Sequence, residues 1–131
     1  MIDGTNTIDE RIRRALSRGH RIDITTTGRQ SGQPRRIEIV FHNFDGRIYI
    51  SGLPRRERRS WLANLAADPR LTIHLKGPVK ADLLARARII DDPSQREAIL
   101  GRIAQVWGRT DLETMVLWSP LIEVEIEGLA A

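Results

Sequence analysis

Residues 35–51 read RRIEIVFHNFDGRIYIS, and this stretch decides the fold. Its first half alternates apolar and polar residues, which is the period of a strand with one buried face. The predicted buried face carries Ile37, Ile39 and Phe41, and the opposite face carries Arg36, Glu38, Val40 and His42. Asp45-Gly46 is a tight-turn signal, because glycine adopts a positive φ without steric cost. Residues 47–51 are therefore predicted to return as an antiparallel strand.

The same alternation recurs on both sides of this hairpin. It predicts further strands at residues 21–27, 71–76, 79–90 and 121–127. Helices are predicted at residues 7–18 and 57–67, from Asp92-Pro93 onward, and from Thr110 to just before Pro120. Six short strands with hairpin-type links favour an α+β fold, a six-stranded antiparallel barrel with flanking helices. We expect one domain over residues 1–131, with an N-terminal helix at 7–18 and the barrel at 21–127.

Local signals mark where the helices begin. Thr7 with Glu10, and Thr110 with Glu113, each have the spacing of a capping box. Asp92 before a proline predicts a side-chain cap followed by proline at the first helical position. The second helix is expected to stop at Asp68-Pro69 and to bury Trp61, Leu62, Leu65 and Ala66.

Composition limits the class of protein. The chain has 131 residues, 40% of them hydrophobic, and no cysteine, which excludes disulfides and cysteine metal sites. It has no apolar run of the roughly 18 residues that a membrane span requires, and residues 1–10 do not resemble an export signal. We therefore expect a soluble cytoplasmic protein. Residues 1–70 hold 14 Arg or Lys against 8 Asp or Glu, which indicates an anionic ligand or simply a solvated basic surface.

One loop between two predicted strands has the composition of an anion site. Residues 25–36 read TTTGRQSGQPRR. Two glycines allow successive backbone N–H groups to point at a phosphate, while Ser31 adds a hydroxyl and Arg29 a positive charge. The same composition is also compatible with an ordinary turn.

Two separated motifs resemble a known family. Thr26–Arg35 follow the pattern T-T-G-R-x-S-G-x-P-R, and residues 61–69 follow W-x-x-N-L-x-A-D-P. This combination, within about residues 21–90, resembles the deazaflavin-dependent nitroreductases of the split β-barrel flavin-binding superfamily. The resemblance implies a split β-barrel that binds coenzyme F-420, an 8-hydroxy-5-deazaflavin with a phosphodiester and a polyglutamate tail. It implies hydride transfer to a quinone, a nitro compound or another activated small molecule. Alternatives are an FMN-binding split-barrel protein and a non-catalytic module that binds an anion or cofactor.

The resemblance also assigns roles to residues. Arg29, Gln30, Ser31 and Gly32 would hold the cofactor phosphate, with Arg35 and Arg36 at the base of the loop and Trp61 and Asn64 lining the pocket. Gln30 stands where the family often has lysine, and Glu38 where many members have proline on the strand beneath the deazaflavin. Because an unpaired buried carboxylate is costly, we expect Glu38 to be ion-paired or at an interface.

A second basic cluster precedes Trp61. It consists of Arg55, Arg56, Arg58 and Arg59 around one glutamate. A segment with four arginines is not expected in the core. It is either a solvated turn or a site that binds a phosphate or the polyglutamate tail. Cofactor contacts are accordingly predicted for Arg56, Arg58 and Arg59. The arginines lack interleaved aromatic residues, which counts against single-stranded nucleic acid as the ligand.

The sequence gives little indication of a metal site or of catalytic residues. His20, His42 and His74 have no metal-ligand spacing, so no metal site is predicted, and no catalytic residue can be named. Met115, Leu117 and Trp118 would either wall a substrate pocket or pack in the core. As partners we expect a small-molecule electron acceptor, no nucleic acid, weak contact of the basic half with a membrane surface, and a second copy in a homodimer.

Overall fold

Six strands form a closed antiparallel barrel in the computed structural model, which describes residues 6–129. The strands are β1 (Arg21–Thr27), β2 (Pro34–Phe44), β3 (Arg47–Ser51), β4 (Arg70–Lys76), β5 (Lys80–Ile89) and β6 (Leu121–Ile126). Around the barrel they follow the order β1-β2-β3-β6-β5-β4. The α+β barrel predicted from the alternating segments is confirmed, and its strand boundaries differ from the predicted ones by at most one residue.

Four helices accompany the barrel. They are α1 (Glu10–Leu16), α2 (Ser60–Ala67), α3 (Pro93–Trp107) and α4 (Leu112–Trp118). Helix α3 begins as predicted, because the Asp92 side chain accepts a hydrogen bond from the backbone N–H of Gln95 at 2.9 Å and Pro93 is the first helical residue.

Two predicted helix caps are wrong. Helix α1 is capped by Asp9, whose carboxylate accepts from the Ile12 N–H at 2.9 Å, and it spans residues 10–16 instead of 7–18. The hydrogen-bond acceptor at the start of α1 is thus Asp9, two residues after Thr7. Asp111, not Thr110, precedes α4, and its carboxylate binds the guanidinium of Arg109.

The start of α2 also differs from the prediction. The helix begins at Ser60, because Arg59 is extended (φ −67°, ψ 143°). The Arg59 guanidinium donates to the Leu53 carbonyl at 2.5 Å, which ties residues 53–59 into a loop. Residues 57–59 are therefore not helical. Within the helix, Ala66 is exposed and Asn64 is buried in its place.

The apolar residues form two clusters. The barrel interior is filled by inward-facing residues of every strand, among them Ile22, Ile24, Phe41, Ile50, Ile73, Leu83 and Ile122. A second cluster lies between the outside of the barrel and helices α3 and α4, and it contains Tyr49, Ile90, Leu100, Ile103, Ala104, Met115 and Leu121. This cover explains why His42 is buried although it points out of the barrel.

Glu38 lies on the outer face of the barrel in a network of ion pairs. Its carboxylate binds Lys76 Nζ at 2.5 Å and Arg21 Nη1 at 3.3 Å. Lys76 also binds Asp23 at 2.6 Å, and Asp23 pairs with Arg36 at 3.0 Å. Hydrogen bonds from Lys76 hold the pKa of Glu38 below its usual value. The expectation of an ion-paired Glu38 is confirmed.

Candidate active site

The loop between β1 and β2 is a compact turn closed by its own backbone. The Gly28 N–H donates to the Gln33 carbonyl at 2.8 Å, and the Gly32 N–H donates to the Gly28 carbonyl at 2.8 Å. Gly32 has φ +71°, a conformation that other residues adopt only with strain. A Cβ on Gly28 would lie 2.6 Å from Ser31 Oγ and 3.1 Å from the Gln33 carbonyl oxygen. A side chain at position 28 would therefore displace the Ser31 hydroxyl and press on the Gln33 carbonyl.

This loop leaves several hydrogen-bond donors free. Ser31 Oγ accepts from the Gln33 N–H at 3.1 Å and from Arg35 Nη2 at 3.4 Å, so the hydroxyl hydrogen is free to be donated. Within residues 6–129, the backbone N–H groups of Gln30 and Ser31 make no hydrogen bond. Together with the guanidinium groups of Arg29 and Arg35, they form a cluster of donors of the kind that anion sites use.

Asn64 joins this loop to helix α2. Its side-chain oxygen accepts from the Arg29 N–H at 3.1 Å and from Arg29 Nη1 at 3.4 Å. Its Nδ2 donates to Thr26 Oγ1 at 3.1 Å, and Asn64 and Thr26 are both buried. Asn64 therefore positions the loop. Sequence reasoning did not identify Thr26, because its hydroxyl has a role only through this contact with a distant helix.

A cavity of about 430 Å³, here called the loop cavity, opens beside this turn. It is lined by Thr26, Gly28, Arg29, Gln30, Ser31, Arg35, Arg36, Ile37, Ser60, Trp61 and Asn64. The structure thus brings together seven of the predicted cofactor-binding residues. Gly32 shapes the turn without lining the cavity. Glu38 does not line the cavity either, because the alternation of β2 turns Ile37 toward it and Glu38 to the opposite face.

The other predicted residues line a second space, here called the arginine cavity, of about 480 Å³. Arg55, Arg56, Arg58 and Arg59 border it together with residues of α3 and α4. Neighbouring residues at the start of α2 line the two cavities, Ser60 and Trp61 the first, and Arg59 and Leu62 the second. Burial, and secondarily the charge of Arg55, lower the pKa of Arg59.

The described residues provide neither a metal-binding cluster nor a membrane-spanning helix. Residues 6–129 contain no cluster of three or more His, Asp or Glu that could hold a metal ion. None of the helices that the structure describes is long and apolar enough to cross a membrane.

The fold defines a class of protein by its similarity to solved structures. It is similar to an F-420 reductase, at 17% identity and a TM-score of 0.66, over 92% of this chain and 97% of that chain. It is also similar to a conserved hypothetical protein from Mycobacterium tuberculosis, at 18% identity and a TM-score of 0.66, over 94% and 82% of the two chains. A third structure, described as a domain-swapped dimer, has 20% identity and a TM-score of 0.60 over 88% and 95%. These likenesses show the fold, which is that of a split β-barrel.

Residues 5–111 match the sequence profile of the F-420H(2)-dependent quinone reductases. This match covers most of the chain and extends beyond the two motifs, so the chain belongs to the F-420H(2)-dependent quinone reductase family. It is accordingly an oxidoreductase enzyme whose cofactor is F-420 and whose electron acceptor is a small molecule. The prediction of an F-420-dependent reductase is confirmed, in preference to the alternatives of an FMN-binding protein and a non-catalytic module.

Proposed function

We propose that this protein reduces a quinone or a similarly activated acceptor with F-420H(2) bound in the loop cavity, its phosphate held by residues 28–35. The observation that carries the proposal is the set of free donors in the turn, the N–H groups of Gln30 and Ser31 and the Ser31 hydroxyl. The overall change is F-420H(2) plus quinone to F-420 plus hydroquinone, which balances two electrons and two protons. When bound, the cofactor supplies the hydride, so no protein nucleophile is needed.

The residues present fit a phosphodiester. The turn offers convergent hydrogen-bond donors, and Arg29 and Arg35 supply the positive charge despite the glutamine at position 30. The absence of a side chain on Gly28 leaves room for the turn to close on itself. The Glu38 carboxylate, which would repel an anionic deazaflavin, does not line the loop cavity. It is bound to Lys76 on the other face of β2.

The remaining roles of the chain are orientation and water exclusion. Trp61 is buried, and with Ile37 it gives the loop cavity an apolar wall against which a planar ring system packs. Arg36 borders the cavity while its guanidinium remains paired with Asp23. The second proton of the reaction is assigned to solvent.

We extend the proposal to the polyglutamate tail. Arg58, with Arg56 and Arg59 beside it, would meet the negative charge of the tail at the rim of the arginine cavity. Guanidinium groups bind carboxylates through two parallel hydrogen bonds, which suits such a clamp. Arg59 already donates to the Leu53 carbonyl and Arg56 lies over the Trp118 ring, so Arg58 is the most available of the three.

We also propose that the protein is a single-domain cytoplasmic homodimer whose basic half makes weak contact with anionic membrane surfaces. The similarity to a chain described as a domain-swapped dimer supports the dimer. The excess of arginine in residues 1–70 supports the surface contact. Light scattering of the purified chain and sedimentation with vesicles containing phosphatidylserine test the two statements. A monomer, or no co-sedimentation at 0.1 M salt, would contradict them.

The proposed cofactor site is tested by titrating the protein with F-420 and with FMN in parallel, followed by fluorescence. We expect saturable binding of F-420 and much weaker binding of FMN. Oxidation of F-420H(2) in the presence of a quinone then measures turnover. Tighter binding of FMN than of F-420, or no F-420 binding, would overturn the proposal.

A further inference from the structure

Part of the lining of the arginine cavity is apolar, and the carboxylates of a polyglutamate tail would make no favourable contact with that part. Beside the arginines, its wall is formed by Leu62, Ile89, Val116, Leu117, Trp118, Pro120 and Leu121. Its volume of about 480 Å³ lies within the range of small-molecule sites. Apolar walls with a few charged groups at the mouth are typical of a site for an amphipathic ligand.

A half-buried arginine fixes the wall of this cavity. Arg96 donates hydrogen bonds to four backbone carbonyls, those of Ile90, Met115, Val116 and Ser119. These bonds satisfy the carbonyls at the end of α4 and hold the segment that carries Trp118. Because its donors are used in this way, Arg96 builds the cavity and is not available to bind a ligand.

Large apolar side chains stay exposed at the mouth. Leu117 is 70% exposed and Trp118 is 42% exposed, and Leu53 beside the cluster is 57% exposed. Exposed apolar groups that are contiguous and rimmed by polar residues mark binding sites on soluble proteins. The guanidinium of Arg56 lies 5.5 Å from the centre of the Trp118 ring and so orients the indole.

Arg55 is the charged residue best placed for a ligand on Trp118. Its backbone N–H donates to the Trp118 carbonyl at 3.3 Å, which fixes the backbone of Arg55 next to that of Trp118. Its guanidinium forms no ion pair within residues 6–129, although Glu57 and Asp91 also border the cavity. An anionic group on a ligand would therefore find an uncompensated cation at this point.

We propose that the arginine cavity binds the electron acceptor and selects an amphipathic anion, with its flat apolar body against Trp118 and Leu62 and its carboxylate or sulfonate at Arg55. The inference rests on the proposed function for the source of the hydride. In this proposal Arg58 binds the cofactor tail, and Arg56 holds the Trp118 ring in place. The apolar wall favours this ligand over the tail alone, because burial of aromatic surface adds binding energy that carboxylates lack.

The test uses 1,4-naphthoquinone and 1,4-naphthoquinone-2-sulfonate, which differ by one anionic group. Arg55→Gln should lower kcat/KM for the sulfonate by about three- to tenfold through KM, and for the neutral quinone by less than twofold. Trp118→Leu should lower kcat/KM for both. The control Arg14→Gln, on the exposed face of α1, should leave both acceptors unchanged. Calorimetry of the sulfonate with cofactor-free protein should show the same loss of affinity in Arg55→Gln.

The outcomes separate the two proposals. If the wild-type protein fails to bind F-420, the proposed function is wrong, while calorimetry of the sulfonate still tests the cavity. If Arg55→Gln changes both acceptors equally, or neither, the selection of an anion is overturned. If Arg55→Gln instead weakens F-420 binding without a specific effect on the sulfonate, Arg55 belongs to the tail site and the inference fails.

Discussion

Asn64 accepts two hydrogen bonds from Arg29 through one side-chain oxygen, from the backbone N–H at 3.1 Å and from the guanidinium at 3.4 Å. Its amide nitrogen is anchored to Thr26 in the barrel interior. The orientation of the β1–β2 turn thus depends on a buried side chain of α2. The cofactor site is held between two elements that are far apart in the sequence.

Replacing Asn64 with alanine should affect both stability and binding. The change leaves the Thr26 hydroxyl and the Arg29 N–H without partners, which costs about 1–3 kcal/mol in the free energy of unfolding. It should also weaken F-420 binding, because the turn loses its anchor. Urea denaturation and fluorescence titration measure the two effects. Asn43→Ala is the matched control, since the Asn43 amide also forms hydrogen bonds through both its oxygen and its nitrogen but lies outside both cavities. Loss of F-420 affinity to the same extent in both variants would contradict a positioning role for Asn64.

The phosphate contact is tested most directly by the double substitution Arg29→Ala with Ser31→Ala. It removes one charge and one hydroxyl donor from the turn, and should weaken F-420 binding by about 1–3 kcal/mol. The variant Arg18→Ala with Ser17→Ala alters the same residue types at the end of α1 and should bind normally. Unchanged affinity in the first variant would remove the turn from the cofactor site.

Gly28→Ala should abolish the shape of the turn without unfolding the barrel. The added Cβ would lie 2.6 Å from Ser31 Oγ and 3.1 Å from a backbone oxygen, so the Ser31 hydroxyl and the turn must shift. Gly77→Ala is the control, because a Cβ there has no atom within 4 Å among the described residues. We expect F-420 affinity to fall at least tenfold in the first variant and to stay constant in the second. Near-native affinity of Gly28→Ala would show that the close approach does not matter for the site.

The strands and the motif residues could be predicted from the sequence, because period-two alternation and glycine-containing turns act locally. The starts of α1 and α2 could not, since Asp9 caps α1 in place of Thr7, and a contact with Leu53 holds Arg59 outside α2. The anchor at Thr26 and the partner of Glu38 depend on tertiary placement. Lys76 reaches Glu38 from another strand, whereas Arg36, its neighbour on the same face, binds Asp23.

The proposed tail clamp predicts a salt-dependent affinity. Exposed charge pairs are screened over about 8–10 Å at 0.1–0.15 M salt, so binding of tailed F-420 should weaken as salt rises. Arg58→Ala should reduce the affinity for tailed F-420 and reduce its salt dependence, while binding of a tail-less deazaflavin stays the same. Equal affinity of the wild-type protein for the tailed and tail-less forms would identify the cluster as a solvated turn.

His42 should make the fold sensitive to mild acid. Its ring packs on Trp107 at 5.4 Å and on Phe44 at 5.7 Å, and its Nε2 is buried without a hydrogen-bond partner among the described residues. Burial lowers the pKa of His42 below its usual value, so protonation favours the unfolded chain. The contribution to stability is complete above the unfolded pKa of about 6.5 and is lost as pH falls through the lowered folded pKa.

The free energy of unfolding should therefore fall between pH 7 and pH 5, with a slope of at most about 1.4 kcal/mol per pH unit for one proton. Urea denaturation across this interval measures the slope. In His42→Leu, which keeps an apolar side chain against Trp107, the slope should flatten. Because hydrogen bonds from Lys76 lower the pKa values of Asp23 and Glu38, the stability that these carboxylates contribute is lost mainly below about pH 5, as the unfolded carboxylates gain protons. A slope that persists unchanged in His42→Leu would assign the acid sensitivity to other groups.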